Sequence, residues 1–116
     1  MKLINKMFSI VSEGKTVSIE LHPDHPIYQA HFPGNPITPG VCIVQMVTEI
    51  LENKLNCQLE LEKVTNLKFV QPLSPHETPT VDILFNSIVH DEGRYKVKGT
   101  VFHNETIFTK FSIIYR

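Results

Sequence analysis

The groups that can do chemistry are concentrated in one stretch of eleven residues, His31-Phe-Pro-Gly-Asn-Pro-Ile-Thr-Pro-Gly-Val41. Histidine is the side chain best suited to take up a proton near neutral pH. The stretch leads into an apolar segment that we expect to be helical, and a helix N-terminus exposes unpaired amide donors. The amides of Gly40 and Val41 can therefore polarise a carbonyl group and stabilise charge on its oxygen. This combination suits proton abstraction next to a carbonyl, especially that of a thioester.

A proline-rich loop and a helix must position these groups. The segment from His22 to Gly40 holds five of the eight prolines, so we expect neither a helix nor a central strand to run through it. From Val41 to about Leu55, apolar residues cover more than one narrow stripe. That pattern predicts a helix that is buried on most sides.

The rest of the chain is typical of β-structure. Phe8–Val11 and Thr16–Leu21 alternate apolar and polar residues around a glycine-containing turn, which predicts a β-hairpin. Four alternating segments separated by turns follow the helix: Leu59–Val70, Val81–Val89, Tyr95–Phe102 and Thr106–Tyr115. Together these segments predict an α+β fold, one antiparallel sheet wrapped around one central helix, as a single domain over residues 1–116.

Length and composition exclude several classes of protein. The chain has 116 residues, and 11 Lys and Arg against 12 Asp and Glu give a net charge of −1, which argues against binding nucleic acid by bulk attraction. No apolar run approaches the roughly 20 residues that span a bilayer, and no signal-peptide pattern is present. Cys42 and Cys57 are too few for a disulfide framework and lack metal-ligand spacing. We expect a small cytoplasmic domain without a membrane, a metal or a cofactor.

The eleven-residue stretch resembles the active-site signature of the 3-hydroxyacyl-[acyl-carrier-protein] dehydratases of type II fatty-acid synthesis. The resemblance extends to His22-Pro-Asp-His-Pro-Ile-Tyr-Gln-Ala before it and to Leu67-Lys-Phe-Val-Gln-Pro-Leu-Ser-Pro-His-Glu after the helix. It implies the hot-dog fold, a sheet curled around a long helix. It also implies dehydration of a (3R)-hydroxyacyl chain that is held as a thioester, with no cofactor.

The resemblance also assigns roles to individual residues. It makes His31 the base that removes a proton from C2 of the acyl chain, and Gly40 the residue whose amide binds the thioester carbonyl. The family's acidic residue lies fourteen positions after the histidine, where this chain has Gln45. An amide can hydrogen-bond the departing hydroxyl but cannot protonate it. The apolar residues expected to wall an acyl tunnel are Phe32, Ile37, Val41, Val44 and Phe69.

Gln45 leaves three interpretations open. It can bind or orient a water molecule in a dehydratase or in an acyl-thioester hydrolase, or it can mark a module that binds acyl chains or carrier protein without catalysis. Glu49 lies one helical turn later and is a possible alternative acid. Its other interpretation is a solvated or ion-paired helix residue.

The expected substrate is a thioester of acyl carrier protein or of CoA. Carrier proteins of this family are acidic, and a group of basic residues is a weak indication of such a partner: Lys63, Lys68, Arg94, Lys96, Lys98 and Lys110. Exposed sheet edges favour a homodimer, or a higher oligomer built from it. In that dimer the resemblance implies that His31 of one subunit faces position 45 of the other.

Overall fold

The computed structural model describes residues 2–30 and 34–116. His31 and Phe32, the expected base and one expected tunnel residue, lie outside the described residues. The elements are β1 (Phe8–Ser12), β2 (Thr16–Leu21), α1 (Pro26–Ala30), α2 (Gly40–Leu55), β3 (Leu61–Phe69), β4 (Thr80–Asp91), β5 (Arg94–His103) and β6 (Thr106–Tyr115).

All six strands belong to one antiparallel sheet, in the order β1-β2-β4-β5-β6-β3. The expected hairpin forms, with Phe8 of β1 opposite Leu21 of β2. An antiparallel sheet with one long helix confirms the predicted α+β class. β1 and β3 are the two edges of the sheet, so each has one side without a strand partner in this chain.

The core lies between one face of the sheet and α2. Alternation along β2 explains its burial, since Val17, Ile19 and Leu21 are buried while Glu20 between them is exposed. Eight residues of α2 between Cys42 and Leu51 are buried, as the breadth of its apolar pattern predicts. The first turn of α2 differs, because Val41 is 71% exposed.

The helix α1 contradicts the expectation that no helix forms between His22 and Gly40. Pro26 occupies its first position, where a helix requires no amide donor and the fixed φ of proline already suits it. The imidazole Nδ1 of His25 accepts a hydrogen bond from the Ile27 amide at 3.1 Å and so caps this end. The helix extends for only five residues, to Ala30.

The long helix α2 begins one residue before its predicted start and ends where the sequence places its end. Asn56 follows it in the left-handed conformation at φ 54°, and its amide donates to the Glu52 carbonyl. Asparagine tolerates this conformation better than most residues, so it terminates the helix. Neither helix within residues 2–30 and 34–116 has the length and apolarity needed to cross a bilayer.

Candidate active site

Thr38 anchors the loop that leads into α2. Its amide donates to the Leu73 carbonyl at 2.8 Å, and its hydroxyl Oγ1 is 2.8 Å from the phenol oxygen of Tyr28. Burial raises the pKa of Tyr28 to about 12, so the phenol keeps its proton at neutral pH. The loop is thereby tied both to α1 and to the connection that follows β3.

The N-terminus of α2 carries the two amides that the sequence singled out. Pro39 precedes the helix and gives no side-chain cap, while its carbonyl accepts the amides of Cys42 and Ile43. No residue that the structure describes accepts a hydrogen bond from the amide of Gly40 or Val41. As far as the described residues go, these two donors and the positive end of the helix dipole face no acceptor and suit a ligand oxygen.

Phe69 lies directly against Gly40. A Cβ atom added at Gly40 would lie only 2.6 Å from Cζ of the Phe69 ring, closer than nonbonded carbons approach. The Phe69 ring at the end of β3 therefore packs directly against the Gly40 backbone at the start of α2. Half of the Phe69 side chain remains exposed.

A cavity of about 340 Å³ opens beside this contact. Ile37, Gly40 and Phe69 contribute to its wall, together with Ile43 of α2 and the segment 70–73 after β3. Its volume is at the lower end of the range for small-molecule sites, and its wall is mainly apolar. Two of the expected tunnel residues, Ile37 and Phe69, therefore share one cavity with the Gly40 backbone.

The other described tunnel residues lie elsewhere. Val41, Val44 and Gln45 line a second cavity of about 510 Å³, between α2 and the start of β3. The described residues expected to wall a tunnel are thus divided between two cavities, with Gly40 on one and Val41 on the other. Consecutive helix residues diverge by about 100°, which explains the division.

Glu49 is buried rather than solvated, and no ion pair joins it to another described residue, contrary to one expectation from the sequence. It is 3% exposed, and none of the ion pairs among residues 2–30 and 34–116 includes it. The Leu3 amide donates to both carboxylate oxygens, at 2.9 and 2.8 Å, and the Ile4 amide donates to Oε1 at 2.8 Å. The Gln45 side-chain amide donates to Oε2 at 2.7 Å. The sequence carried no signal for this cluster, because Leu3 and Glu49 are 46 positions apart.

The other groups considered for chemistry were the thiol of Cys42 and a metal site. Burial raises the pKa of the Cys42 thiol, which lowers its thiolate fraction at neutral pH, in keeping with its interpretation as a small helix residue. Within the described ranges, no three His, Cys, Asp or Glu side chains come together as metal ligands.

Five exposed lysines gather on the outward face of β3, β6 and β5, and these form the lysine face: Lys63, Lys68, Lys96, Lys98 and Lys110. Lys68 of β3 stands directly opposite Lys110 of β6. None of the five takes part in an ion pair with a described residue, whereas Arg94 is paired with Glu62 at 2.7 Å. Like charges held opposite one another are unfavourable unless an anionic partner approaches.

Comparison of the sequence with known proteins finds similarity to dehydratases. A family model of ApeI-like proteins, described as ApeI dehydratase, matches residues 9–108. The 3-hydroxyacyl-[acyl-carrier-protein] dehydratase FabZ of Acetivibrio thermocellus is 29% identical over 107 residues, 85% of this chain and 73% of that protein. The FabZ of a Thermoanaerobacter species is 28% identical over 108 residues, 84% of this chain and 72% of that protein.

Two solved structures share the fold. The dehydratase heterocomplex ApeI:P from Xenorhabdus doucetiae matches with a TM-score of 0.59 and 19% identity, over 93% of this chain and 92% of that one. The hypothetical protein SAV0944 of Staphylococcus aureus, as its Glu47Ala mutant, matches with a TM-score of 0.62 and 11% identity, over 96% and 93%. These likenesses and the observed sheet topology confirm the hot-dog fold.

Proposed function

The chain belongs to the ApeI-like dehydratase family, and from that premise we propose that it removes water from 3-hydroxyacyl thioesters of acyl carrier protein. The observation that carries the proposal is the pair of amides at Gly40 and Val41, which donate to no described residue and of which the first lies on the wall of an apolar cavity. An acyl thioester needs donors at its carbonyl oxygen and an apolar surface for its chain, and this corner of the fold offers both.

The chemistry follows from the carbonyl contact. When the Gly40 amide binds the thioester oxygen, negative charge that develops there on loss of the C2 proton is stabilised. His31 takes that proton, and the bond between C3 and the hydroxyl oxygen then breaks to leave a 2-enoyl thioester and water. Because the side-chain amide of Gln45 cannot protonate the hydroxyl, its proton comes from a bound water, from Glu49 or from the newly formed His31 imidazolium.

The acyl chain is proposed to occupy the cavity lined by Ile37 and Phe69. Each CH₂ group that enters an apolar cavity contributes about 0.8 kcal/mol to binding, so affinity should rise with chain length until the cavity is filled. A series of acyl-thioester analogues of increasing length measures this directly. If affinity does not change with chain length, the acyl chain does not bind in this cavity.

One mass-spectrometric assay tests the function itself. Purified protein is incubated with 3-hydroxyacyl carrier protein and, separately, with acyl-CoA, and the masses of the products are measured. The expected product is the enoyl thioester, 18 Da lighter than the substrate by the mass of one water, and His31→Ala should abolish it. Free acid would instead indicate the second candidate, a thioester hydrolase in which Gln45 orients the attacking water. Binding without either product would indicate a non-catalytic module.

The functional unit is proposed to be a homodimer formed along β3. This strand is a sheet edge, and Leu61, Val64 and Phe69 on it are exposed large apolar side chains. The cavity that contains Gln45 opens beside the start of β3 and the exposed Val41. A second subunit that extends the sheet at this edge would cover these apolar groups and approach Gln45.

A heteromeric arrangement is the alternative to the homodimer. Its support is the neighbouring ApeI:P structure, which is a heterocomplex. A related chain with a carboxylic acid at the position of Gln45 would supply the proton donor that this chain lacks. Reconstitution of activity only after such a chain is added would favour the heteromer.

The carrier is proposed to dock through the lysine face. Lys68 precedes Phe69 on β3, so the Lys68–Lys110 pair lies at the same end of the sheet as the apolar cavity, on the opposite face. An acidic carrier would relieve the repulsion within this face. Cytoplasmic location belongs to the same proposal, since Cys42 and the exposed Cys57 are both free thiols, as is usual in reducing compartments.

A further inference from the structure

The peptide unit between Pro39 and Gly40 has a fixed direction. The Pro39 carbonyl accepts the amides of Cys42 and Ile43 at 3.0 and 3.1 Å, so its oxygen points along α2. No peptide bond in the described part of the chain is cis, and in a planar trans unit the N–H points opposite to the C=O. The Gly40 N–H is therefore directed outward from the start of α2, which is the direction that a thioester carbonyl in front of the helix requires.

The connection from Thr38 to this peptide unit is stiff. The pyrrolidine ring fixes φ of Pro39, which is −61°, and the residue before a proline is itself restricted to extended conformations. The two hydrogen bonds to the Pro39 carbonyl hold its ψ at 144°. A rotation of Thr38 is therefore passed on to the Gly40 amide, because no freely rotating bond between them absorbs it.

Two hydrogen bonds hold Thr38 in place. Its amide donates to the Leu73 carbonyl at 2.8 Å, and one such bond alone leaves rotation about its own axis open. The second bond, between Thr38 Oγ1 and the Tyr28 phenol at 2.8 Å, removes that freedom. Tyr28 and Thr38 are 0% and 4% exposed, so bulk water does not compete for this bond. The phenol of Tyr28 therefore determines how Thr38 is oriented.

We propose that Tyr28 is a positioning residue, which holds Thr38 through its phenol and thereby directs the Gly40 amide at the thioester oxygen. The inference rests on the proposed dehydratase function and deepens it, because it assigns a residue to the placement of the carbonyl donor. Negative charge on the oxygen grows as C2 loses its proton, so a misplaced donor costs more in the transition state than in the bound substrate. Loss of the phenol should therefore change kcat more than KM.

The first test combines isosteric substitutions in a cycle. Tyr28→Phe and Thr38→Val each leave one buried hydroxyl without its partner, so each should lower Tm and should lower kcat for enoyl formation by about 10-fold. The double variant removes both hydroxyls, so its Tm should return close to the wild-type value while kcat stays low. Thr38→Ser keeps the hydroxyl and should keep kcat close to the wild-type value. Recovery of kcat together with Tm in the double variant would show a purely structural bond and overturn the proposal.

The second test needs no turnover. The probe is a saturated acyl carrier protein that is labelled with ¹³C at its thioester carbonyl and has no hydroxyl to lose. Donors that polarise the bound carbonyl shift its infrared C=O stretch to lower frequency. Tyr28→Phe and the double variant should lose part of this shift. Tyr115→Phe is the matched control, because Tyr115 is equally buried and its phenol oxygen is 2.8 Å from Oγ1 of Thr48, two turns further along α2.

The outcomes of this measurement separate the two proposals. The Tyr115→Phe control should keep the full carbonyl shift, even where its Tm falls as far as that of Tyr28→Phe. A carbonyl shift that is unchanged in Tyr28→Phe, or reduced equally in Tyr115→Phe, overturns the positioning role and leaves the proposed function standing. A wild type that shows the shift but forms no enoyl product from 3-hydroxyacyl carrier protein instead overturns the proposed function, and the positioning of the Gly40 amide stands.

Discussion

The side-chain nitrogen of Gln45 donates to the carboxylate of Glu49 at 2.7 Å, one turn apart on the same face of α2. This contact joins the position where the sequence resemblance predicts an acid to a buried carboxylate that the sequence suggested only as a possible acid. Because the two side chains are hydrogen-bonded, the source of the proton in the proposed reaction depends on both positions and not on Gln45 alone.

Replacing Gln45 with Glu should increase dehydration by about 10²-fold, the usual contribution of a positioned acid. The new carboxyl would lie beside the Glu49 carboxylate, and two such groups in contact retain one shared proton because they cannot both ionise easily. Steady-state kinetics with a 3-hydroxyacyl thioester measures the gain. If the wild type already dehydrates well and the variant does not improve, water, Glu49 or His31 supplies the proton.

Gly40→Ala should impair binding while leaving the fold nearly unchanged. The added methyl group would push away the Phe69 ring, whose far end is flexible and half exposed, so stability should change by about 0.5 kcal/mol or less. The displaced ring would enter the 340 Å³ cavity and raise KM. Phe69→Leu in the same chain should restore binding, and failure of that rescue would contradict the contact.

Gly99→Ala is the matched control for that substitution. Its added Cβ would lie 2.4 Å from Cζ of Phe111 and 2.5 Å from the Leu84 carbonyl oxygen. Phe111 is buried and the carbonyl belongs to the neighbouring strand, so neither can move freely. Thermal unfolding should reveal a loss of about 1–3 kcal/mol, as is usual for overpacking.

Val64→Glu should dissociate the proposed homodimer. A charge on the exposed edge strand β3 opposes strand pairing between subunits. Light scattering should show twice the 13.3 kDa chain mass for the wild type and one chain mass for the variant. Val11→Glu, at an exposed apolar position on the opposite edge strand β1, should leave the dimer intact. A stable wild-type monomer at micromolar concentration would contradict a site shared between subunits.

Reversing charge at Lys68 and Lys110 together should weaken recognition of the carrier. We expect KM for 3-hydroxyacyl carrier protein to rise by about 10-fold, most strongly at low salt, with kcat unchanged. KM for the corresponding CoA thioester should change much less. Lys15→Glu, in the exposed turn between β1 and β2, is the control and should have no effect. Equal KM increases for both substrates would place the lysines at the acyl-binding site itself.

Tyr28 should make stability sensitive to alkaline pH. Burial raises its pKa from 10.0 to about 12, so the folded chain keeps a proton that the unfolded chain loses above pH 10. The stabilisation is complete below pH 10 and disappears as the pH rises through 12, with a limit of about 3 kcal/mol. Urea unfolding of the wild type and of Tyr28→Phe across this range should show a steeper decline for the wild type. If the free energy of unfolding declines equally with pH in both proteins, the raised pKa of Tyr28 is contradicted.

The sequence alone determines the class of fold and the loop that precedes the central helix. Strict alternation in β2 specifies which face is buried, and the apolar breadth of α2 indicates a central helix, because both patterns depend only on local periodicity. Proline and glycine spacing locates the loop before α2 for the same local reason. The one helix that the sequence missed, α1, begins with a proline, which is excluded from helix interiors but is favoured at the first position.

Only the tertiary structure decides the rest. The Glu49 cluster joins residues 46 positions apart, the Tyr28–Thr38 bond joins α1 to the loop before α2, and the Phe69–Gly40 contact joins a strand end to a helix start. Lys68 and Lys110 become neighbours through the register of β3 and β6. No local pattern encodes these contacts, because each depends on how distant segments pack once the sheet closes on α2. The Gln45 side chain donates to a carboxylate that also accepts two amides near the start of the chain, and packing alone brings these groups together.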